Sequence, residues 1–189
     1  LDKMAKTPFG EKILVAPFYA YDGMNEHGLC AMVTGINSVQ VSSDKNKESL
    51  FIGFIVRKLL DHSRTVDEAI KLVQNIIPFD ITPTEINTHF LVSDATGKSV
   101  ILEFQDNEWK KSFSNRKWQI MTNKTIFNVP ETQLQEKCWR YKKISASLDK
   151  SNGNVNWNEG IHILKDVSQE GTTWSVIYLP NSDDIYFSV

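Results

Sequence analysis

The chain has 189 residues, 41% of them hydrophobic and 23% charged, with a formal net charge of −2. That length supports one substantial core and a single domain over residues 1–189. No basic stripe points to nucleic acid, and the apolar runs stop well short of the roughly 20 residues a membrane span needs.

Residues 13–20 (ILVAPFYA) are apolar and partly β-branched or aromatic, and predict a strand interrupted at Pro17. Asp22-Gly23 signals a turn. Residues 29–36 predict a buried strand, joined to the first as a hairpin around Asn25-Glu26-His27-Gly28. Residues 42–48 are polar and read as a loop. Residues 50–60 place Ile52, Ile55, Val56, Leu59 and Leu60 at helical spacing. Ser63-Arg64 breaks that helix. Thr65 and Glu68 form a capping-box pattern for a second helix, running to about residue 75 and stopped by Pro78.

A meander of strands follows: residues 88–93, a turn over residues 94–98 with Gly97 placed for positive φ, residues 99–104, a turn at Asp106-Asn107, residues 108–114 and residues 118–122. Residues 131–148 predict one helix with Leu134, Cys138, Tyr141 and Ile144 on a face. Asn156 and Glu159 form another cap, with helix over residues 160–167. Residues 172–179 and 185–189 form a closing hairpin. This order predicts an α+β domain of two antiparallel sheets with helices on their outer faces.

Two cysteines, Cys30 and Cys138, are too few for a disulfide framework, and four scattered histidines lack metal-ligand spacing. No phosphate-binding loop is present. No metal, nucleotide or other cofactor is therefore expected.

Several segments in order carry a resemblance: Asp22-Gly23-Met24-Asn25-Glu26-His27-Gly28-Leu29, residues 59–73 (LLDHSRTVDEAIKLV), residues 87–104, Met121-Thr122-Asn123, Cys138-Trp139-Arg140-Tyr141 and residues 172–179. Together they resemble the choloylglycine hydrolase family of linear amide C–N hydrolases. The resemblance implies an αββα layered fold of the N-terminal-nucleophile type, in which a cysteine thiol at the chain start attacks an amide carbonyl and its own α-amine takes the proton. This chain begins Leu1-Asp2-Lys3. The expectation is therefore a C-terminal portion of such a domain, incomplete at its N-terminus, with the nucleophile on another segment or chain. An uncovered strand edge or apolar face is expected where that piece would pack.

The same resemblance assigns catalytic candidates. Asn123 matches the asparagine whose side-chain amide faces the oxyanion; alternatively it closes a strand by bonding its own turn. Arg140 matches the arginine behind the nucleophile; alternatively it pairs on a helix surface with Glu136. A second oxyanion donor is a backbone amide, matched either by Asn37 or, without a gap, by Gly35. Thr172 and Trp174 are candidate substrate-binding residues, with core packing the alternative for Trp174. Asn25 reads as a turn-fixing residue and His27 as an exposed one. Cys30 and Cys138 read as inert buried thiols.

The function implied is hydrolysis of a linear amide of the bile-salt or penicillin-acylase kind. The alternatives are an acyltransferase using the same acyl-cysteine, or a non-catalytic ligand-binding module or fragment. The expected partners are a small amide substrate, a missing N-terminal piece and, as an open alternative, a second copy of the chain. The compartment is left open, with the cytoplasm favoured because the true N-terminus is expected to be absent.

Overall fold

The computed structural model describes residues 18–42, 44–79 and 85–189. Its centre is a five-stranded antiparallel sheet in the order β1 (Asp22–Met24), β2 (Cys30–Gln40), β5 (Glu85–Ser93), β6 (Ser99–Gln105), β7 (Glu108–Ser112). Two further strands, β3 (Glu48–Phe51) and β4 (Ile76–Phe79), pair in parallel. The crossover between them is made by α1 (Ile52–His62) and α2 (Val66–Val73). Downstream lie α3 (Glu131–Lys137), α4 (Trp139–Lys150), α5 (Trp157–Asp166) and the antiparallel hairpin of β8 (Ser175–Leu179) and β9 (Asp184–Ser188).

The two faces of the large sheet follow from strand alternation. Register pairs Phe90 with Leu102 and Val92 with Val100, and these side chains share one face with Leu29, Ala31 and Phe104. Ile55, Val56 and Leu59 of α1 and Val66, Ala69 and Val73 of α2 cover that face and form the main core. Trp109 closes its far side, packing on Phe104 at 5.3 Å between ring centroids and donating from Nε1 to the Ile76 carbonyl at 2.9 Å. The opposite face carries His89, Leu91, Ile101 and Glu103. A smaller cluster of Ile120, Leu134, Cys138 and Tyr141 belongs to the segment and helices after β7.

Small local devices lock these layers. Asn25 uses its whole amide: Nδ2 donates to the carbonyls of Leu60 (2.8 Å) and Ser63 (2.7 Å), and Oδ1 accepts from the amides of His27 (3.1 Å) and Leu29 (3.0 Å). It thus ties the β1–β2 turn to the C-terminal end of α1, whose carbonyls lack helical partners. Gly28 closes the same turn at φ +73°, with no room for a side chain: a Cβ would stand 2.8 Å from the Pro180 carbonyl oxygen. Asp94, in the β5–β6 turn, accepts from the Val66 amide at the start of α2 (2.8 Å) and from the Thr96 amide (3.0 Å). Thr65 caps α2 by accepting from the Glu68 amide at 3.2 Å, while Glu68 reaches back one residue further than expected, to the Arg64 amide at 2.7 Å.

Several expectations need correction. Most of the strand predicted over residues 13–20 lies outside the described residues, and residues 18–20 form no strand. Asp22-Gly23 is not a turn but part of β1, facing Met32 and Ala31. Pro78 does not end a helix. It sits inside β4 opposite Leu50, where a strand paired in a two-stranded sheet tolerates the missing donor. Residues 118–122 form no strand. They lie across the sheet's second face, where Gln119 donates to the Ser112 carbonyl and accepts from the Ser99 hydroxyl, both at 2.7 Å. Their alternation is real but reflects Ile120 and Thr122 facing inward, both buried.

The helix expected over residues 131–148 is two. Cys138 breaks it at φ −137° and ψ 103°, ending α3 and capping α4 through its Sγ, which accepts from the Tyr141 amide. Among the described residues, β8–β9 pairs with no further strand, and it leaves Ile185 and Phe187 exposed. Trp157 of α5 stacks on Tyr186 at 4.3 Å.

Asp94 gives the first test. Burial raises its carboxyl, but the bonds from the Thr96 hydroxyl and the Val66, Thr96 and Lys98 amides outweigh that and hold it below its usual 3.8. Asp94→Ala should cost about 1–3 kcal/mol in urea unfolding at neutral pH. A group with a depressed folded pKa stabilises above its unfolded value and loses that contribution as pH falls through the folded one. The gap between wild type and variant should therefore hold from pH 7 to 5 and shrink below pH 3.8.

Candidate active site

Asn123 lies on irregular backbone beside β2. Its Nδ2 donates to Thr34 Oγ1 at 2.8 Å and to the Gly35 carbonyl at 2.9 Å, and its Oδ1 accepts from Arg140 Nη2 at 2.5 Å. These partners fix the amide orientation. A guanidinium only donates and a backbone carbonyl only accepts, so a flipped amide would be mismatched on both sides. The cation on Oδ1 also polarises the amide and strengthens its N–H groups as donors.

Arg140 is the second residue of α4, where a cation opposes the helix dipole. The helix gains nothing from it there. Nor does it pair with Glu136, because the break at Cys138 removes the register that a continuous helix would supply. Its partner is Asn123, 17 residues away in sequence.

Of the two alternatives for a second donor, Gly35 is in direct contact with Asn123 through its carbonyl. Asn37 lies two residues further along β2, where the register against β5 shifts between Gly35 and Val39. It is exposed, and with Lys124 and Lys137 it lines a hollow of about 240 Å³. Thr172 and Trp174 lie before β8 rather than on it. The Thr172 hydroxyl accepts from the Gln169 amide at 2.8 Å in its own turn, and Trp174 donates from Nε1 to Asp22 Oδ2 at 3.4 Å. Tyr178 also donates to Asp22, and burial together with that carboxylate raises its hydroxyl pKa. This cluster sits over β1. Among the described residues, neither Thr172 nor Trp174 hydrogen-bonds to Asn123 or Arg140.

The sequence reading missed two groups. One is Thr34, whose hydroxyl receives the Asn123 amide. The other is a pair with no solvent exposure, His89 of β5 and Glu103 of β6. His89 Nδ1 lies 2.8 Å from Glu103 Oε1, and His89 Nε2 lies 2.8 Å from the Thr122 carbonyl. Glu103 also accepts from the amides of Ile126 and Phe127, both at 2.8 Å. The signal was available: His89 and Glu103 stand at mirror positions about the turn over residues 94–98, so a tight hairpin places them directly opposite.

Among the described residues, no group of three or more His, Cys, Asp or Glu is placed to hold a metal ion. None of the described helices is long and apolar enough to cross a membrane. A family model described as acyl-coenzyme A:6-aminopenicillanic acid acyl-transferase matches residues 16–185. No curated protein matches the sequence. Among solved structures, penicillin V acylase from Agrobacterium tumefaciens superposes with a TM-score of 0.67 at 23% identity, covering 90% of this chain. Two variants of conjugated bile acid hydrolase from Clostridium perfringens give TM-scores of 0.69 and 0.72 at 15% and 17% identity, covering 89% and 90% of this chain. The chain spans 62% of the length of the acylase and 69% of each hydrolase. The shared architecture is the N-terminal-nucleophile hydrolase fold.

Both thiols are buried. Burial pushes Cys30 up to about 11, only partly offset by its hydrogen bond with Ser93, so it stays protonated at neutral pH. Iodoacetamide at pH 7 should leave Cys30 unmodified in the folded chain and modify it after denaturation, as read by peptide mass. Rapid native alkylation at Cys30 would show that the thiol is accessible and ionised.

Proposed function

The chain belongs to the family described as acyl-coenzyme A:6-aminopenicillanic acid acyl-transferase, among the N-terminal-nucleophile linear amide hydrolases, and on that premise we propose that it forms the body of an enzyme cleaving linear amide C–N bonds through an acyl-cysteine. In this reading residues 1–189 are the C-terminal portion of the catalytic domain. The nucleophile is a cysteine at a chain start outside these residues. Its α-amine takes the thiol proton, and the thiolate adds to the amide carbonyl. The tetrahedral oxyanion then collapses, the C–N bond breaks, and the ammonium returns the proton to the departing amine. Water attacking the thioester releases the acid.

Asn123 serves as the oxyanion donor, exchanging its contact with Thr34 for the substrate oxygen. The observation that carries this role is the fixation of its amide by Arg140 on Oδ1 and Gly35 on Nδ2, both of which remain when the Thr34 contact is exchanged. A donor whose orientation is already held by two partners reorganises little when charge develops. The backbone amide near Gly35 or Asn37 supplies the second donor. Arg140 acts as the cation behind the site and as the clamp on Asn123. Thr172 and Trp174 are retained as substrate-contact candidates on the family resemblance alone. The substrate is a small amide with a partly apolar acyl or amine part.

Transfer of the acyl group to an amine instead of water is the second reading, favoured by the acyl-transferase activity in the family's description. The two share every step up to the thioester and differ in the acceptor. An assay with a competing amine separates them, since the transferase gives the new amide in preference to the free acid.

In protein carrying its cysteine start, Asn123→Ala should lower kcat by about 10²–10³-fold while the melting temperature stays near wild type. The 189-residue chain alone should hydrolyse no amide. Turnover by that chain that survives replacement of both Cys30 and Cys138 would sink the acyl-cysteine assignment, and an unchanged kcat for Asn123→Ala would remove Asn123 from it.

A further inference from the structure

We propose that His89 and Glu103 are positioning residues for Asn123, an inference that rests on the role of Asn123 in the proposed reaction. The segment from residue 118 to residue 130 has neither helix nor strand to organise its backbone. His89 and Glu103 supply what regular structure does not. His89 holds the Thr122 carbonyl immediately before Asn123, and Glu103 holds the Ile126 and Phe127 amides three and four residues after it. Asn123 is thus suspended between two anchor points that belong to one buried pair.

The hydrogen positions follow from the partners. A backbone carbonyl only accepts, so His89 Nε2 carries a hydrogen. Two backbone amides only donate, so both Glu103 oxygens accept, Oε1 from Ile126 and Oε2 from Phe127. Gln105 adds a longer bond to Oε2 at 3.4 Å. The remaining proton lies between Nδ1 and Oε1. Fully buried and fully satisfied, the pair has no slack, and shifting either member moves the loop that carries Asn123.

Such a pair is not the cheapest way to fill a core. Two ionisable groups without solvent lose hydration that apolar side chains of equal volume would not, and buried pairs often stabilise no better than a hydrophobic replacement. Leu91 and Ile101, the next pair on the same two strands and the same face, show that apolar residues suit this surface. What His89 and Glu103 add is direction: three of their bonds fix main-chain atoms of residues 122–127. A displacement of about 1 Å at a reacting group can cost on the order of 10²-fold in rate.

The test is Glu103→Gln, which keeps the volume but cannot accept from both amides and His89 together. In the complete enzyme kcat should fall by about 10–100-fold with KM within about twofold. In an Asn123→Ala background the same change should cost less than about twofold, because the two act through one group. Hydrogen exchange of the 189-residue chain should show the Ile126 and Phe127 amides losing protection while Leu91 and Ile101 keep theirs. His89→Gln, which retains a donor for Thr122, should keep at least tenfold more activity than His89→Leu. A full additional loss in the Asn123→Ala background, or retained protection at Ile126 and Phe127, overturns the proposal. So does protection lost evenly across the sheet, which would make the pair core filling. If Asn123→Ala leaves kcat unchanged, the oxyanion reading fails by itself, and hydrogen exchange still decides whether the pair holds the segment.

Discussion

A histidine and a glutamate sealed from water must find every partner inside the protein. His89 and Glu103 find theirs in each other, in Gln105 and in the longest segment without regular structure among the described residues. The constraint works in both directions. The loop gives the pair its acceptor and its donors, without which burial of either group would cost several kcal/mol. The pair fixes main-chain atoms of the loop on both sides of Asn123, on a sheet face where, among the described residues, Gln119 alone bonds the earlier part of the segment to Ser99 and Ser112. Asn123, Arg140 and the β2 edge at Thr34 and Gly35 come together because that loop is fixed.

The rest of the fold repeats the logic with smaller parts. Asn25 ties a hairpin turn to the end of α1, and Asp94 ties another turn to the start of α2. In each case one polar side chain satisfies backbone groups from two different elements. The main core is then held between the sheet and these two helices with its layers in register. Cys138 is the weakest such device. A sulfur accepts hydrogen bonds poorly, yet it starts α4 and so sets where Arg140 projects.

Much of this was legible in the sequence, for reasons that can be named. The meander from β5 to β7 was readable because its turns are short and its side chains alternate cleanly. Asp106 and Asn107 both take positive φ, as that turn requires. The caps at Thr65 and Asn156 were readable because they are local. The parallel β3–β4 pair was missed: four-residue strands leave too little pattern, and Pro78 argued against one of them. The break at Cys138 was hidden because Leu134, Cys138 and Tyr141 keep helical spacing across it and all are buried. Asn123 and Arg140 stood out only through resemblance to a family. Nothing in either local segment says that they touch. His89 and Glu103 were visible as polar residues at mirrored positions in apolar strands, but their importance lies in what they grip 23 to 33 residues downstream.

The pairing of β2 with β5 has a consequence for how the molecule assembles. Cys30 meets Ser93 and Gln40 meets Glu85, so closing that ladder encloses a loop of more than forty residues, whereas β5, β6 and β7 are joined by tight turns. Loop-closure entropy favours the meander forming first. His89 and Glu103 are then set opposite one another, and the downstream segment can settle onto them, before β2 arrives with Thr34 and Gly35. In that sequence of events Thr34 and Gly35 reach Asn123 only after the meander has formed, an order that mutational φ-values along β2 and β6 would read directly.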